Sequence, residues 1–150
     1  MAIDKSLIGR KSEVYTFEVE KGHIRRFAEA VGDDCPLYVD EDFAKETPYK
    51  GIIAPPTFAT TLSMGQPGPM RGVEGFEGRR VLHGGQEFIF HRPMRPGDKY
   101  WIQSEIVDVY ERTGKTGGRM SFIVTDTVAR NINGDPVVTA RSTIIYRHDI

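Results

Sequence analysis

The chain has 150 residues and a formal net charge of -1, with both signs spread along it. That length predicts one domain over residues 1–150, burying about 70% of its unfolded surface and needing no disulfide or metal staple. Without a basic stripe, no nucleic-acid partner is expected.

Cys35 is the sole cysteine, which rules out an intrachain disulfide and a multi-cysteine zinc site. No stretch approaches the roughly 20 apolar residues of a membrane span. No apolar run follows Met1-Ala2-Ile3-Asp4-Lys5, so no signal peptide is expected and the location expected is cytoplasmic.

Val14 to Val19 alternates apolar and polar residues, the pattern of a strand, and Gly22 breaks it. Ile24, Phe27, Ala28 and Val31 then recur at spacings of three and four, one apolar face of a short helix. Gly32 is suited to end that helix in the left-handed conformation. Asp33 to Tyr38 reads as a loop, with Pro36 biasing Cys35 to an extended shape. Asp40, Glu41 and Asp42 can cap the next helix, which is short, buries Phe43 and Ala44, and ends at Thr47-Pro48.

Ala54-Pro55-Pro56 places prolines where a helix can begin. The segment from Thr57 to Met64 is nearly uncharged, so it has to be covered on most sides. Gln66-Pro67-Gly68-Pro69 stops it. Gly68 to Gly78 carries four glycines and reads as a mobile loop, either a substrate lid or a disordered insert.

The remainder is strand-rich. Arg79 to His91 contains Gly84-Gly85, which signals a bend or a close approach of another backbone. Arg95-Pro96-Gly97-Asp98 reads as a turn, Lys99 to Glu111 as a long strand, and Thr113 to Gly118 as a second turn. Met120, Phe122 and Val124 share one face of the next strand. Asn133-Gly134-Asp135 marks a hairpin, and Val138, Ala140, Ser142, Ile144 and Tyr146 alternate in the last strand. Helices followed by an antiparallel meander predict an α+β fold, with the helices on one face and the Pro56–Met64 helix wrapped by the sheet.

Residues Phe27 to Tyr38, containing Gly32-Asp33-Asp34-Cys35-Pro36-Leu37-Tyr38, resemble the Gly-Asp-x-Asn-Pro-Leu-His signature of the MaoC-like (R)-specific enoyl-thioester hydratases. Ala44 fits the small residue that follows it. Lys50 to Phe58, Leu82 to Phe88 and Arg92 to Asp98 resemble that family's later segments, most closely in the FAS1-like dehydratase branch. The resemblance implies a hot-dog fold, an antiparallel sheet around one long helix. It implies reversible addition of water to enoyl thioesters of CoA or acyl carrier protein, with no further cofactor.

In that family an Asp and a His hold a water and share acid and base duties, and a backbone N–H at the central helix polarises the thioester carbonyl. Asp33 matches the Asp and Gly51 the oxyanion glycine. By the same resemblance Ile52, Pro55, Thr57 and His83 are candidates for substrate contacts. Tyr38 stands where the family has His, and Cys35 replaces Asn. A tyrosine titrates near pH 10 and is no base near neutrality, though it donates hydrogen bonds. Two readings follow: a hydratase subunit working through Asp33 and Tyr38, or a non-catalytic acyl-binding half paired with a His-bearing MaoC-like partner. Either implies a homodimer or heterodimer. A thioesterase shares the fold, but the Gly-Asp loop favours hydration.

The same residues also have plain structural roles. An Asp after a helix-ending glycine commonly bonds its own backbone; Tyr38 can be a packed aromatic; His83 can be a strand histidine facing solvent. Arg79, Arg80, Arg92 and Arg95 are either CoA-phosphate contacts or a solvated rim. His23, His91 and His148 lack acidic neighbours at metal-ligand spacing, so no metal is expected.

Overall fold

In the computed structural model, residues 3–115 and 117–149 are described. Met1 and Ala2 of the start considered above, Thr116 of the Thr113–Gly118 turn, and the terminal Ile150 lie outside them.

Five antiparallel strands form one sheet in the order β1-β3-β4-β5-β2. They are β1 (Tyr15–Glu18), β2 (Val81–Phe90), β3 (Lys99–Thr113), β4 (Arg119–Arg130) and β5 (Pro136–Arg147). β3, β4 and β5 are joined by hairpins, and β1 and β2 are the edges. Two helices, α1 (Lys21–Val31) and α2 (Glu41–Glu46), come before a 3₁₀ helix at Pro56–Ser63. This is the hot-dog arrangement, with the 3₁₀ helix against β2, β4 and β5.

The central helix departs from the expected long α-helix. Pro55 and Pro56 supply no N–H groups for its first turn, and Thr60 and Thr61 each donate a hydroxyl to the carbonyl three residues back at 2.8 Å. Those bonds favour a three-residue repeat. The segment is still covered as its composition requires: Phe58, Ala59, Thr61 and Leu62 are buried. Tyr15 of β1 fixes its far end by donating its hydroxyl to Leu62 O at 2.7 Å.

α1 begins one turn earlier than the apolar spacing indicates. Gly22 lies inside its first turn, so the strand pattern has ended by that glycine as expected. Its C-cap is Gly32 at φ 71°, whose N–H and that of Asp33 reach back to the last turn, so the sequence signal for the helix end is met. Asp40 caps α2 by accepting from Phe43 N at 3.0 Å. Of the two residues expected inside, Ala44 is buried but Phe43 is 48% exposed. α2 is under two turns long, and only one of its positions faces inward.

Two clusters make the core. The first gathers Val19, Ile24, Phe58, Leu62, Tyr100 and Ile102 between α1, the 3₁₀ helix and the sheet. The second sits at the other end, where Ile3 and Leu7 meet Ile106, Ile123 and Tyr146. The glycine-rich stretch expected to be mobile covers this second cluster. Met70 and Val73 are buried, Phe76 stacks on Tyr146 at 5.4 Å, and Arg10 donates to Pro69 O and Arg71 O. Apolar side chains spaced by three anchor it despite four glycines.

Met120, Phe122 and Val124 do share a face, but it is the outer one, where Phe122 stacks on Tyr110 at 4.9 Å. The inner face of β4 carries Ser121, Ile123, Thr127 and Ala129. A register shift between Ile106 and Asp108 changes the alternation of β3 and lets both Ile106 and Val109 face inward.

The Gly84-Gly85 pair is both a bend and a close approach. The β2 register shifts between His83 and Gly85. A Cβ on Gly84 would meet Ile145 Cγ1 at 2.9 Å and Thr143 O at 3.1 Å. Gly84→Ala is therefore expected to cost about 1–3 kcal/mol in chemical denaturation. Ile145→Val in the same chain should return part of that cost, since the two sites are coupled.

Tyr15 gives a second test. Burial pushes its hydroxyl up to about 12 from an ordinary 10.0. A raised folded-state pKa gives stability that is full below pH 10 and lost as pH rises toward 12. Alkaline unfolding followed by circular dichroism should begin in that window, and Tyr15→Phe should flatten it.

Candidate active site

The cap at Gly32 turns the chain so that Asp33 leaves α1 half-buried, and Pro36–Tyr38 closes one 3₁₀ turn. Asp33 Oδ1 accepts from Cys35 N at 3.1 Å, an Asp bonded to the backbone two residues on. This is the turn role that an Asp in such a place can always have. It occupies one carboxylate oxygen and sets the loop's shape.

Tyr38 packs against the first core cluster. Its hydroxyl is pushed up by burial first and by the Asp33 carboxylate second. The two side chains are thus close enough to feel each other, without a hydrogen bond between them. The phenol stays neutral well past neutral pH and acts as a hydrogen-bond donor, never as the base that a histidine would supply.

Tyr38 and Ile52 line one small cleft of about 150 Å³, shared with Lys21 and Arg25. Ile52 is buried. Lys21 is paired with Glu41. The structure therefore brings two of the expected site residues, Tyr38 and Ile52, to one place.

The segment that leads into the central helix is unusual at its start. Lys50 has φ 59°, the one non-glycine residue in the left-handed region among the described residues. Such a conformation costs about 1–2 kcal/mol and has to be enforced by its surroundings. Here Lys50 N–H bonds to Thr47 O at 3.0 Å on one side, and Ala54 N–H bonds to Met94 O at 2.8 Å on the other. Gly51, half-buried between them, has a Cβ position 3.8 Å from Arg95 Nη1. Pro55 is buried and accepts from Phe58 N, while Thr57 is exposed at the start of the 3₁₀ helix.

A larger cleft of about 330 Å³ flanks this segment and is lined by Tyr49, Ile53, Ala54, Pro56, Phe90 and His91, among others. From sequence, His91 is weighed only against a metal role, and Tyr49 and Phe90 carry no site role. Phe90 ends β2 and His91 follows it just before Arg92-Pro93, while Tyr49 stands just before Lys50.

His83 falls elsewhere. It is exposed on edge strand β2, paired with Ile144. Phe88 of the same strand packs on the first core cluster, so His83 lies five residues further along, about 16 Å away at 3.3 Å per residue. Among the described residues, no hydrogen bond links any of the four histidines to Asp33 or Tyr38, and His91 lines the larger cleft beside Tyr49. His23 packs edge-on to Phe58 at 4.8 Å, and His148 bonds Ser121 through Nε2 at 2.8 Å at the far end. No group of three or more His, Cys, Asp or Glu among the described residues is placed to hold a metal. No helix of the described residues is long and apolar enough to cross a membrane.

A five-stranded antiparallel sheet around a short helix, with a Gly-Asp loop beside that helix, defines a hot-dog protein of the MaoC-like dehydratase class. Residues 6–140 match the model of the FAS1-like dehydratase domain region, and the chain belongs to that family. It is 38% identical over 152 residues to a UPF0336 protein of Saccharopolyspora erythraea, covering 98% of this chain and 93% of that one. It superposes with a TM-score of 0.77 and 30% identity on a chain of the C-terminally truncated HadBC (3R-hydroxyacyl-ACP dehydratase) complex of Mycobacterium tuberculosis, covering 93% of this chain and 96% of that one. A MaoC-like dehydratase of Rhodospirillum rubrum shares the fold at a TM-score of 0.68 and 18% identity, covering 95% and 94%.

The space at Gly51 separates fold from function. A methyl group fits there in ordinary contact, 3.8 Å from Arg95 Nη1. Gly51→Ala is expected to leave the melting curve unchanged, or to add about 0.4–1 kcal/mol by restricting the unfolded chain. Acyl-thioester binding by the same variant, measured by calorimetry, should weaken if this glycine is there for the close approach of a ligand.

Proposed function

We propose that this chain is a subunit of a hydratase/dehydratase acting on 3-hydroxyacyl and enoyl thioesters of CoA or acyl carrier protein, and that a His-bearing MaoC-like partner completes its acid–base pair. The observation that carries the second half is Tyr38. It is held beside Asp33 as a neutral phenol, and no histidine is among the groups that act on it or bond to Asp33. Asp33 keeps one carboxylate oxygen free of the turn it makes with Cys35. The loop can therefore orient a water or a hydroxyl group through Asp33 and Tyr38, but the proton of water needs a base titrating nearer neutrality. Membership of the dehydratase family, and likeness to a chain of a 3R-hydroxyacyl-ACP dehydratase complex, support both the reaction and the second chain.

In this role Gly51 N–H would receive the thioester carbonyl, Ile52 and Pro55 would shape the apolar wall, and Thr57 would stand at the helix start. His83 has no part in it. A cytoplasmic setting accompanies the reading. The competing reading, in which this chain alone turns over substrate, makes the opposite forecast in the same assay.

Hydration of crotonyl-CoA, followed as loss of the enoyl-thioester absorbance, tests the proposal. The purified chain alone is expected to show no turnover above background, and addition of a co-purifying His-bearing homologue should restore it. A pure homodimer that turns over crotonyl-CoA, and loses that activity in Asp33→Asn with its fold intact, would show that the partner is not needed.

A further inference from the structure

The four arginines singled out in the sequence separate in the structure. Arg79 and Arg80 both pair with Glu77, at 2.6 and 3.1 Å. Arg92 pairs with Asp135 at 3.2 Å. Arg95 differs: it is half-buried, and among the described residues no carboxylate lies within ion-pair distance of its guanidinium. A guanidinium does not lose its proton at any working pH. A partly desolvated cation left without a partner favours an anion arriving from outside.

The backbone that carries it is fixed. Arg95 N–H donates to Asp98 Oδ2 at 3.0 Å and Asp98 N–H donates to Arg95 O at 3.1 Å. Tyr100 donates its hydroxyl to the same Asp98 oxygen at 2.7 Å. Gly97, at φ 87°, closes the turn, and its N–H bonds to Val19 O at 2.8 Å. Asp98 is thus spent on the turn and not on the guanidinium. From this base the side chain reaches Gly51, with Nη1 3.8 Å from its Cβ position, and borders an open cleft of about 570 Å³ shared with Lys99 and Trp101.

We propose that Arg95 is a catalytic residue that binds the oxygen of the thioester carbonyl as it gains charge, next to Gly51 N–H. This rests on the reading above, which places that carbonyl at Gly51. In hydration, water oxygen bonds to C3, and its proton goes to the acid–base pair. The C2–C3 π pair moves to C1–C2, and the carbonyl pair moves onto oxygen as an enolate. The enolate then collapses, C2 takes the proton back, and the thioester is restored. Dehydration runs the same steps in reverse through the same enolate. A guanidinium at that oxygen lowers the barrier because its charge is matched only once the enolate forms.

Acetoacetyl-CoA tests this without turnover, because it ionises at C2 to an enolate with its own ultraviolet absorbance. The proton goes to solvent, and the electron pair spreads over the two oxygens. Binding to the wild-type chain, with its partner present, should raise the enolate fraction at fixed pH. Arg95→Gln should cut the enolate-to-keto ratio of the bound ligand about tenfold or more, the effect of removing one adjacent opposite charge. Arg95→Lys should keep most of it.

Arg95→Met, which keeps the packing of the stem, guards against a folding defect, and melting curves are run on all variants. In crotonyl-CoA hydration by the pair, Arg95→Gln should lower kcat about a hundredfold with little change in KM. Acetoacetyl-CoA bound by Arg95→Gln and Arg95→Met with an undiminished enolate fraction would overturn the role of Arg95 and leave the thioester reading standing. No binding of acetoacetyl-CoA by the chain, alone or with its partner, would overturn both.

Discussion

Phe58 is the side chain on which the rest of the arrangement depends. It is fully buried at the start of the central helix, and three rings meet it edge-on: Phe17 from β1 at 6.3 Å, His23 at 4.8 Å and Phe27 at 5.5 Å from α1. Edge-to-face pairs of this kind contribute about 0.5–1.5 kcal/mol each beyond the area they bury. Their geometry matters more here than their sum. They set where α1 lies over the 3₁₀ helix, and α1 ends in the cap from which Asp33 and Tyr38 depart. A shift of Phe58 would carry the whole Gly-Asp loop with it. The same contact places His23, whose ring packs on Phe58 while the residue stays part-exposed.

The elements whose sequence signals are local were legible. Gly32 ends α1 in the left-handed conformation, Asp40 caps α2, and Gly84 marks both a bulge and a close approach. Each depends on one residue and its near neighbours. The family, the hot-dog fold and the dehydratase character were legible too, through the Gly-Asp loop and the segments after it.

What escaped reading depends on tertiary partners or on small differences in repeat. Eight residues do not separate a period of 3.0 from one of 3.6, so the central helix could be placed but not typed. The choice was made by two prolines and two threonine hydroxyls. The glycine count of the 68–78 stretch outweighed three apolar residues that happen to meet Tyr146 and its neighbours. Likewise, alternation in β4 showed that Met120, Phe122 and Val124 share a face. Only the sheet's curvature could say that this face is the outer one. Four arginines looked alike in sequence. Arg79 and Arg80 pair with the neighbouring Glu77, and only the fold brings Asp135 to Arg92 and leaves Arg95 without a carboxylate among the described residues.

The Asp33 loop shows how a motif can keep its shape while one of its chemical parts changes. Its shape comes from the Gly32 cap, the Asp33–Cys35 turn and the Pro36 turn, and none of these involves the side chain at position 38. A tyrosine there packs on the first core cluster and leaves the backbone path undisturbed. What it removes is a group that can exchange a proton near neutral pH, and the neighbouring carboxylate only drives the phenol further from that range. The loop therefore keeps a packed wall and a hydrogen-bonding surface, with a phenol at position 38. Packing and hydrogen bonding of that kind need no titratable group at position 38.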